Sequence, residues 1–320
     1  MPRLQVIGFG ALNLDLIFQV DESLGRELGV RAGEEWAREP QQVDALLAVL
    51  YKEGRLVGKA GGGSAANTVV ALSGMGFRAG YVGKIGSDSE GEFIWKSLDS
   101  IDRSRILRGE RSGICLTLLI GKDRDRSMIV FPNVNDTLCW EDLDVEYAKE
   151  CDFLHLTSFV GDRPLEAQRR LAAEAGSEVK ISFDPGMLYA RRGIPALLPI
   201  LKNTYICFPS EEEVEILSGK EFWEGSRQLL DLGVQIVVCT MGHKGSYVFT
   251  EKEEFWTPAV KIREVVDTTG AGDVFAAGFL AGLLEQKSLR ECADLATKWA
   301  ARSIVGVGRQ CYPVGNGRNE

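Results

Sequence analysis

Histidine and closely spaced cysteines are nearly absent from this 320-residue chain, and their scarcity narrows the chemistry that it can support. The two histidines, His155 and His243, are too few for a histidine-based metal centre. The seven cysteines lie far apart, and no Cys-x-x-Cys pair occurs. An odd number of dispersed cysteines is typical of reduced thiols in the cytosol rather than of a disulfide framework or a zinc site. We therefore expect a cytoplasmic protein.

Long hydrophobic runs and an excess of positive charge are also lacking. No apolar run is long enough to span a membrane, and the first residues, MPRLQVIGFG, lack the charged and apolar blocks of a signal peptide. The formal net charge of −9 argues against nucleic acid as a partner, because a phosphate backbone requires a basic face. Backbone dipoles and a metal ion can still neutralise the phosphates of a bound nucleotide, so an acidic chain remains compatible with nucleotide chemistry.

Two familiar phosphate-binding motifs are missing. The segment IGFGALN follows the first apolar run, but Asn13 occupies the position of the third glycine of a dinucleotide fingerprint. The segment GRLVGKA places Gly54 and Gly58 too close together for a P-loop and has no Ser or Thr after Lys59. Any nucleotide must therefore be held by a different phosphate cradle.

Short apolar segments alternate with amphipathic ones along most of the chain. This alternation predicts an α/β fold, with a doubly wound, mostly parallel sheet flanked by helices. The predicted strands are 4–10, 79–83, 153–156, 179–183, 204–208 and 235–240. The predicted helices are 64–75, 90–98, 164–175, 225–232, a buried helix at 271–284 and an outer amphipathic helix at 289–304.

Two stretches interrupt the alternation and predict a small β-rich lid on a single domain covering 1–320. Residues 12–20 alternate as a strand, and 113–132 is typical of a hairpin around the polar turn GKDRDRS. We expect the lid to be built from about 12–20, 55–60 and 113–132. A charged, partly helical insertion is expected at about 21–54.

The most informative motif is VVDTTGAGDVFAAG, near the C-terminal end of the chain. Gly270, Ala271 and Gly272 allow close approach of a ligand to the backbone, and a helix begins directly after them. Its first N–H groups lack intrahelical partners and lie at the positive end of the helix dipole, which predicts an anion site. Asp273 lies in that first turn. An anion site beside a carboxylate suits phosphoryl transfer, with Asp273 accepting the hydroxyl proton. An ordinary glycine-rich loop with an acidic helix start is the alternative.

A second glycine-rich motif, GGGSAAN, opens the helix predicted at 64–75. Gly62 and Gly63 let the backbone approach a polyhydroxylated ligand, and Asn67 offers both a donor and an acceptor. Asn13 and Asp15 follow the first strand, where a carboxylate can accept hydrogen bonds from two sugar hydroxyls. Tight packing of helix on sheet, and a solvated loop carboxylate, are the structural alternatives.

These two motifs, in this order, resemble the signatures of the ribokinase-like (PfkB) carbohydrate kinase family. The first resemblance is carried by GGGSAANTVVALSGMGFRAGYVGKIGSDSEG and the second by DTTGAGDVFAAGF, and the similarity extends from about Leu4 to Pro313. It implies an ATP-dependent kinase that uses Mg²⁺, with a doubly wound α/β domain and a β lid. Lids clasp each other in several relatives, so a homodimer through the lid is expected.

The resemblance also implies roles for individual residues. Asp15, Gly63 and Asn67 would bind substrate hydroxyls, Asp273 would be the general base, and residues 270–272 would form the anion hole. The segment TMGHKG, with Thr240, Gly242 and Gly245, would line the nucleotide. Asp267 would begin a loop that binds a monovalent cation such as K⁺. Glu213 would bind Mg²⁺ through water, although Ser210 replaces the asparagine of the family's Asn-x-x-Glu motif.

The expected acceptor is a sugar, with a nucleoside as the alternative. The segment SFDPGMLYA resembles the Asp-Pro segment of sugar kinases, which favours a sugar, whereas the long insertion resembles adenosine-kinase-like members and favours a nucleoside. An apolar wall from the lid would favour a base, and Phe131, Phe159 and Trp36 are candidates, although packing in the core or lid is the favoured interpretation for each. A catalytically silent binding protein and a Rossmann oxidoreductase are the other classes; an intact GAGD and the missing third glycine argue against them.

Three polar residues near the predicted strand ends have less certain roles. His155 and Ser158 lie where ligands bind in such sheets, but a structural histidine is the favoured interpretation for His155. Lys84 suits either a substrate contact or a surface cation.

Overall fold

The computed structural model describes residues 3–30, 35–121, 125–175 and 179–314. Parts of the predicted insertion (31–34) and of the predicted hairpin turn (122–124) lie outside the described residues. Within them the chain forms strands β1 (Leu4–Phe9), β2 (Asn13–Val20), β3 (Glu35–Ala37), β4 (Arg55–Gly62), β5 (Ala79–Gly86), β6 (Asp102–Gly109), β7 (Gly113–Ile120), β8 (Asp125–Phe131), β9 (Cys151–Thr157), β10 (Lys180–Asp184), β11 (Thr204–Cys207), β12 (Ile236–Thr240), β13 (Ser246–Phe249) and β14 (Glu254–Thr257).

The described residues also form α-helices on both sides of the strands. They are α1 (Glu22–Glu27), α2 (Val43–Glu53), α3 (Ser64–Gly74), α4 (Ser89–Lys96), α5 (Val145–Lys149), α6 (Asp162–Glu174), α7 (Gly186–Ala190), α8 (Gly193–Leu201), α9 (Glu211–Ser218), α10 (Phe222–Asp231), α11 (Ala271–Leu284) and α12 (Leu289–Ser303). None of the helices in the described ranges is long and apolar enough to cross a membrane.

The central sheet has nine strands in the order β14-β13-β12-β11-β10-β9-β1-β5-β6. From β12 to β6 in this order, each strand runs parallel to the next one. Strands β13 and β14 are added beside β12 and run antiparallel to their neighbours. Val6 and Ile7, adjacent in β1, point to opposite faces and are both fully buried, because helices cover both faces. The predicted doubly wound, mostly parallel α/β sheet is confirmed.

Two hydrophobic clusters form the layers on either side of this sheet. One packs α3, α4, α11 and α12 against the sheet, and the other packs α6, α8, α9 and α10 against the opposite face. Helix α11 is apolar on all sides, and every residue from Asp273 to Gly282 is buried. Helix α12 is amphipathic and lies against α11 as its outer neighbour, as its sequence pattern predicts.

A second, five-stranded sheet has the order β3-β8-β7-β2-β4. Strands β7 and β8 form the predicted antiparallel hairpin, while β2 lies between β7 and β4. The insertion before β4 contributes α1 and α2, but it also supplies the edge strand β3, which the sequence pattern does not reveal. Only three residues separate the end of β1 from Asn13, the first residue of β2. The end of the second sheet at Asn13 therefore lies at the carboxyl edge of the central sheet. Ligands bind at that edge in open α/β sheets.

Candidate active site

The C-terminal glycine-rich segment forms a tight turn that leads into α11. Gly270 precedes the helix with a left-handed backbone (φ 76°), which favours glycine. A Cβ at this position would also lie 2.2 Å from the hydroxyl of Tyr312. The close approach predicted at Gly270 is therefore made to the C-terminal segment of the chain itself, which packs beneath the turn.

The start of α11 is accessible at Gly272. The N–H of Ala271 donates to the carbonyl of Thr268 (3.2 Å), so it is engaged within the turn. The N–H of Gly272 occupies the next helical position, where a helix provides no internal acceptor. A Cβ on Gly272 would meet no atom within 4 Å, so the backbone here can be approached by a ligand. An accessible amide at a helix start is compatible with the predicted anion site, which stays a prediction.

Asp273 receives hydrogen bonds from the start of α3. Ser64 donates from Oγ to Oδ1 of Asp273 over 2.5 Å, and Asn67 donates from Nδ2 to Oδ2 over 2.7 Å. Thr68 adds a bond to the Asp273 backbone carbonyl at 3.2 Å. The carboxylate is 9% exposed, so these contacts fix its orientation in a nearly enclosed position. The two glycine-rich motifs therefore meet at one carboxylate.

Two further acidic residues face this site, one of which the sequence analysis did not assign. Asp184, at the end of β10, accepts from the Gly186 amide (3.0 Å) and lies 3.4 Å from the Ser64 hydroxyl. Burial raises the pKa of Asp184 well above its ordinary value, and the charges of Glu213 and Asp273 raise it further. Burial likewise raises the pKa of Glu213 to about 7. A cation near these carboxyl groups would offset their mutual repulsion.

Ser210 and Glu213 form a reciprocal cap at the start of α9. The amide of Ser210 donates to Oε2 of Glu213 (2.8 Å), and the Glu213 amide donates to the Ser210 hydroxyl (3.2 Å). Serine therefore satisfies the helix end in the position where asparagine is expected. Within the described ranges, no group of three or more His, Cys, Asp or Glu is placed to chelate a metal ion directly. The donor set fits Mg²⁺, which keeps several waters and uses substrate phosphates as ligands.

A cavity of about 600 Å³ opens beside the anion turn. Three of the residues that line it are those predicted to contact the nucleotide: Thr240, Gly242 and Gly245. Ala271 and Gly272 line the same cavity, so it reaches the anion turn. The remaining wall is largely apolar, with Ala259, Val260, Ile262, Val265, Phe275, Ala300, Ala301 and Ile304. This combination can hold a planar heterocycle and direct its phosphates toward the start of α11.

A smaller cavity of about 90 Å³ lies on the side of the second sheet. Its polar lining comes from Asn13, Glu35, Ser64, Asn135 and Ser158. Its apolar lining comes from Ala11, Val130, Pro132, Phe159, Val160 and Leu188. Ser64, whose hydroxyl bonds to Asp273, lines this cavity, and Ala271 and Gly272, which directly precede Asp273, line the large one.

The predicted substrate-binding residues border the smaller cavity to different degrees. Asn13 and Gly63 line it, whereas Asp15, Gly62 and Asn67 do not, and Asn67 instead donates to Asp273. Asp15 packs against the backbone of Gly62: a Cβ there would lie 2.1 Å from both carboxylate oxygens. A side chain at position 62 would collide with the Asp15 carboxylate, so glycine is needed there. Asp15 and Gly62 lie on the paired strands β2 and β4 of the second sheet.

His155, Lys84 and Ser158, for which the sequence leaves two interpretations, lie in three different surroundings. His155 is fully buried, with Nδ1 2.9 Å from the Ser182 hydroxyl, and burial lowers its pKa to about 3. Lys84 pairs with Asp142 (3.2 Å) in a largely buried ion pair. Ser158 lines the smaller cavity.

Among the three aromatic candidates, Phe131 is fully buried in the core. Phe159 is almost completely buried and forms part of the wall of the smaller cavity, whereas Trp36 is 46% exposed. Asp267, the predicted cation ligand, accepts from the amides of Thr269 (2.8 Å) and Gly308 (3.0 Å).

Comparison with known proteins gives one consistent result. Residues 43–313 match the profile described as pfkB family carbohydrate kinase. An "uncharacterized sugar kinase" of Archaeoglobus fulgidus is 36% identical over 75% of this chain and 96% of its own length. An ATP-dependent ribose-1-phosphate kinase of Halopiger xanaduensis is 30% identical over 80% of this chain and 84% of its own length. The structure of adenosine kinase from Sinorhizobium meliloti superposes with a TM-score of 0.87 and 26% identity, covering 96% of this chain and 95% of that one.

Proposed function

The chain belongs to the pfkB family of carbohydrate kinases, and from that premise we propose that it transfers the terminal phosphoryl group of ATP to a hydroxyl of a sugar or sugar-like molecule. Membership makes it a phosphotransferase with a hydroxyl acceptor. The observation that carries the more specific proposal is the position of Asp273. Asp273 lies at the start of α11, directly after Gly272 of the large cavity, and its carboxylate accepts from Ser64, which lines the smaller polar cavity.

In this mechanism Asp273 is the general base and the amide of Gly272 stabilises the transferred group. The acceptor hydroxyl oxygen bonds to the terminal phosphorus as the bond from that phosphorus to the bridging oxygen breaks. ADP leaves with the electron pair, and the hydroxyl proton passes to the Asp273 carboxylate. The amide at the helix start donates to the equatorial oxygens, where charge accumulates.

Mg²⁺ would be held through water by Glu213, with Asp184 as a second carboxyl group beside it. When bound, the ion neutralises phosphate charge and orients the phosphates for in-line transfer. A neighbouring monovalent cation such as K⁺ is proposed at the loop that begins with Asp267, where its charge would support the anion turn.

The acceptor proposed first is a sugar, because Asn13, Asn135 and Ser158 offer several hydrogen-bonding groups in the smaller cavity. A nucleoside is the second candidate, and a specific observation favours it. One wall of the cavity is apolar and includes Phe159, with Val130 and Pro132 contributed from the second sheet. Such a wall can pack against a planar base while the polar groups hold the ribose.

We also propose that two copies associate through the second sheet. Strand β4 is an edge strand of that sheet, and Leu56 and Val57 on it are 41% and 39% exposed. An edge strand carrying exposed apolar side chains is a surface that proteins usually cover. A C₂ dimer would cover this strand in both copies at once.

A substrate panel tests the proposed function. The purified chain is incubated with ATP and Mg²⁺ and with individual sugars, sugar acids or nucleosides, and acceptor-dependent ADP release is measured. We expect one class to support rapid turnover, and Asp273→Asn to remove it. Asp294→Asn, an exposed carboxylate on the neighbouring α12, is the matched control and should leave turnover unchanged. Turnover that persists in Asp273→Asn would overturn the role of Asp273.

A further inference from the structure

A guanidinium group lies beneath the start of α3, close to the proposed base. Arg309 donates from Nε to Oδ1 of Asn67 (2.9 Å) and from Nη1 to the Ser97 carbonyl (3.2 Å). The residue as a whole is half-buried, but Nη2 is enclosed and has no hydrogen-bond partner among the described residues. Burial lowers the pKa of Arg309, and the groups of Tyr312 and Asp15 oppose that effect. Partial burial of the Arg309 charge costs free energy, because the charge loses contact with water, so its position calls for a role that explains it.

The chemistry of Asn67 supplies the reason. Its amide has one donor end and one acceptor end, so it can be placed in either of two orientations. An arginine side chain can only donate, so the amide oxygen must face Arg309. The amide nitrogen then faces Asp273 and donates to Oδ2 over 2.7 Å. The reversed amide would place its oxygen against a carboxylate and its N–H₂ against a guanidinium, and both contacts are repulsive.

We propose that Arg309 is a positioning residue for phosphoryl transfer, because it fixes the orientation of Asn67 and thereby holds Asp273 toward the acceptor hydroxyl. The inference rests on the proposed role of Asp273 as base. Ser64 holds the other carboxylate oxygen at 2.5 Å, so the two contacts together prevent rotation of the carboxylate. A general base must lie within hydrogen-bonding reach of the proton that it accepts, so loss of one contact slows the chemical step.

Two substitutions at position 309 distinguish the effect of hydrogen-bond donation from the effect of side-chain size. Lysine at position 309 is also donor-only, whereas glutamine carries an acceptor as well as a donor and accepts either orientation of Asn67. We expect Arg309→Gln to lower kcat on the order of 100-fold with little change in the KM for ATP. We expect Arg309→Lys to recover most of the lost kcat. Equal loss in both variants would overturn the orientation argument.

A double-mutant cycle tests whether Arg309 acts through Asn67. If it does, Arg309→Gln combined with Asn67→Ala should be no slower than Asn67→Ala alone. If the losses in kcat of the two single variants multiply in the double variant, the proposal is overturned. Arg103→Gln is the matched control. Arg103 also donates to a backbone carbonyl, that of Trp95 (2.7 Å), but it lies outside the site, so its replacement should leave kcat unchanged.

The outcomes distinguish this inference from the function on which it rests. If Asp273→Asn retains normal turnover, the proposed function fails and Arg309 has no base to position. If Asp273→Asn abolishes turnover but the Arg309 and Asn67 losses multiply, only the positioning role fails. Thermal unfolding of each variant accompanies the kinetics. If Arg309→Gln does not fold, Asn67→Ala alone decides, because a kcat equal to that of the parent would show that the Asn67 contact does not position Asp273.

Discussion

Asn67 donates a hydrogen bond to Asp273 across 206 positions of the chain, at a distance of 2.7 Å. Asn67 lies in the first turns of α3, and Asp273 lies in the first turn of α11. The amino-terminal ends of two buried helices therefore converge on one carboxylate, which places two positive helix ends near a single negative charge. Changes at the start of α3, which does not line the large cavity, should alter chemistry at Asp273 more than they alter nucleotide binding.

Replacement of Asp273 by asparagine should separate chemistry from binding. Asparagine keeps the size of the side chain but cannot accept the hydroxyl proton, so kcat should fall by about 100- to 10,000-fold. Binding of ATP, measured by titration calorimetry, should change little because the large cavity is lined by other residues. Weakened ATP binding in proportion to the loss of kcat would instead indicate that Asp273 shapes the nucleotide site.

The main features of the fold could be predicted from the sequence because they depend on local patterns. Strands buried on both faces are short, mainly apolar runs, such as IVVCT in β12, and α11 is apolar on all sides. Strand β6 was missed because its sequence, DRSRILRG, is polar and lies at the sheet edge with one face exposed. Strand β3 is only three residues long and was missed for lack of any periodicity.

The site was predictable where glycine motifs fix backbone geometry and less so where tertiary contacts decide. Ser64 and Asp184 lie in the segments GGGSAAN and SFDPGMLYA, but neither segment reveals the contact near Asp273, and Arg309 belongs to no motif. Asp184 could have been found from its place at the end of a buried strand. Arg309 follows α12 in a loop, and its contact with Asn67 exists only because the C-terminal segment packs under α3.

Replacement of Gly270 by alanine should destabilise the folded protein. Gly270 has a left-handed backbone, and a Cβ there would lie 2.2 Å from the Tyr312 hydroxyl, so we expect a loss of about 2 kcal/mol or more in the free energy of unfolding. Urea denaturation measures this loss. Adding Tyr312→Phe should recover part of it, because the hydroxyl is the closest atom. Gly272→Ala, where a Cβ meets no atom within 4 Å, is the control and should unfold like the parent.

Glu213→Gln should raise the Mg²⁺ concentration needed for half-maximal activity. Glutamine removes the charge that would attract the hydrated ion but can still cap Ser210, so the helix should remain intact. The measurement is initial rate against free Mg²⁺, and chelation should abolish turnover in the unmodified chain. Glu212→Gln, one residue earlier and exposed, should keep the original Mg²⁺ dependence. An unchanged dependence in Glu213→Gln would remove Glu213 from the metal site.

His155 should make the protein less stable in acid. Burial lowers the pKa of His155 to about 3, whereas an unfolded histidine has a pKa of 6.5. The unfolded state therefore binds a proton that the folded state does not, and stability is lost as pH falls from about 6.5 toward 3. The contribution should approach about 1.4 kcal/mol per pH unit in that window. His155→Gln should lose this part of the slope in urea denaturation, and exposed His243→Asn should retain it.

Asp15→Ala should affect the acceptor and not the nucleotide. Asp15 lies on β2 of the second sheet, against the backbone of Gly62 and near the smaller cavity, whereas the large cavity is lined by residues after position 239. Loss of a carboxylate that accepts two hydroxyl hydrogen bonds should raise the KM for the acceptor at least tenfold, since each such bond contributes about 1 kcal/mol or more. Gln19→Ala, further along the same strand, is the matched control and should leave both KM values unchanged. A parallel rise of both KM values in Asp15→Ala would mean that Asp15 supports the second sheet as a whole, and the acceptor would then have to be bound by Asn13 and the residues of the smaller cavity alone.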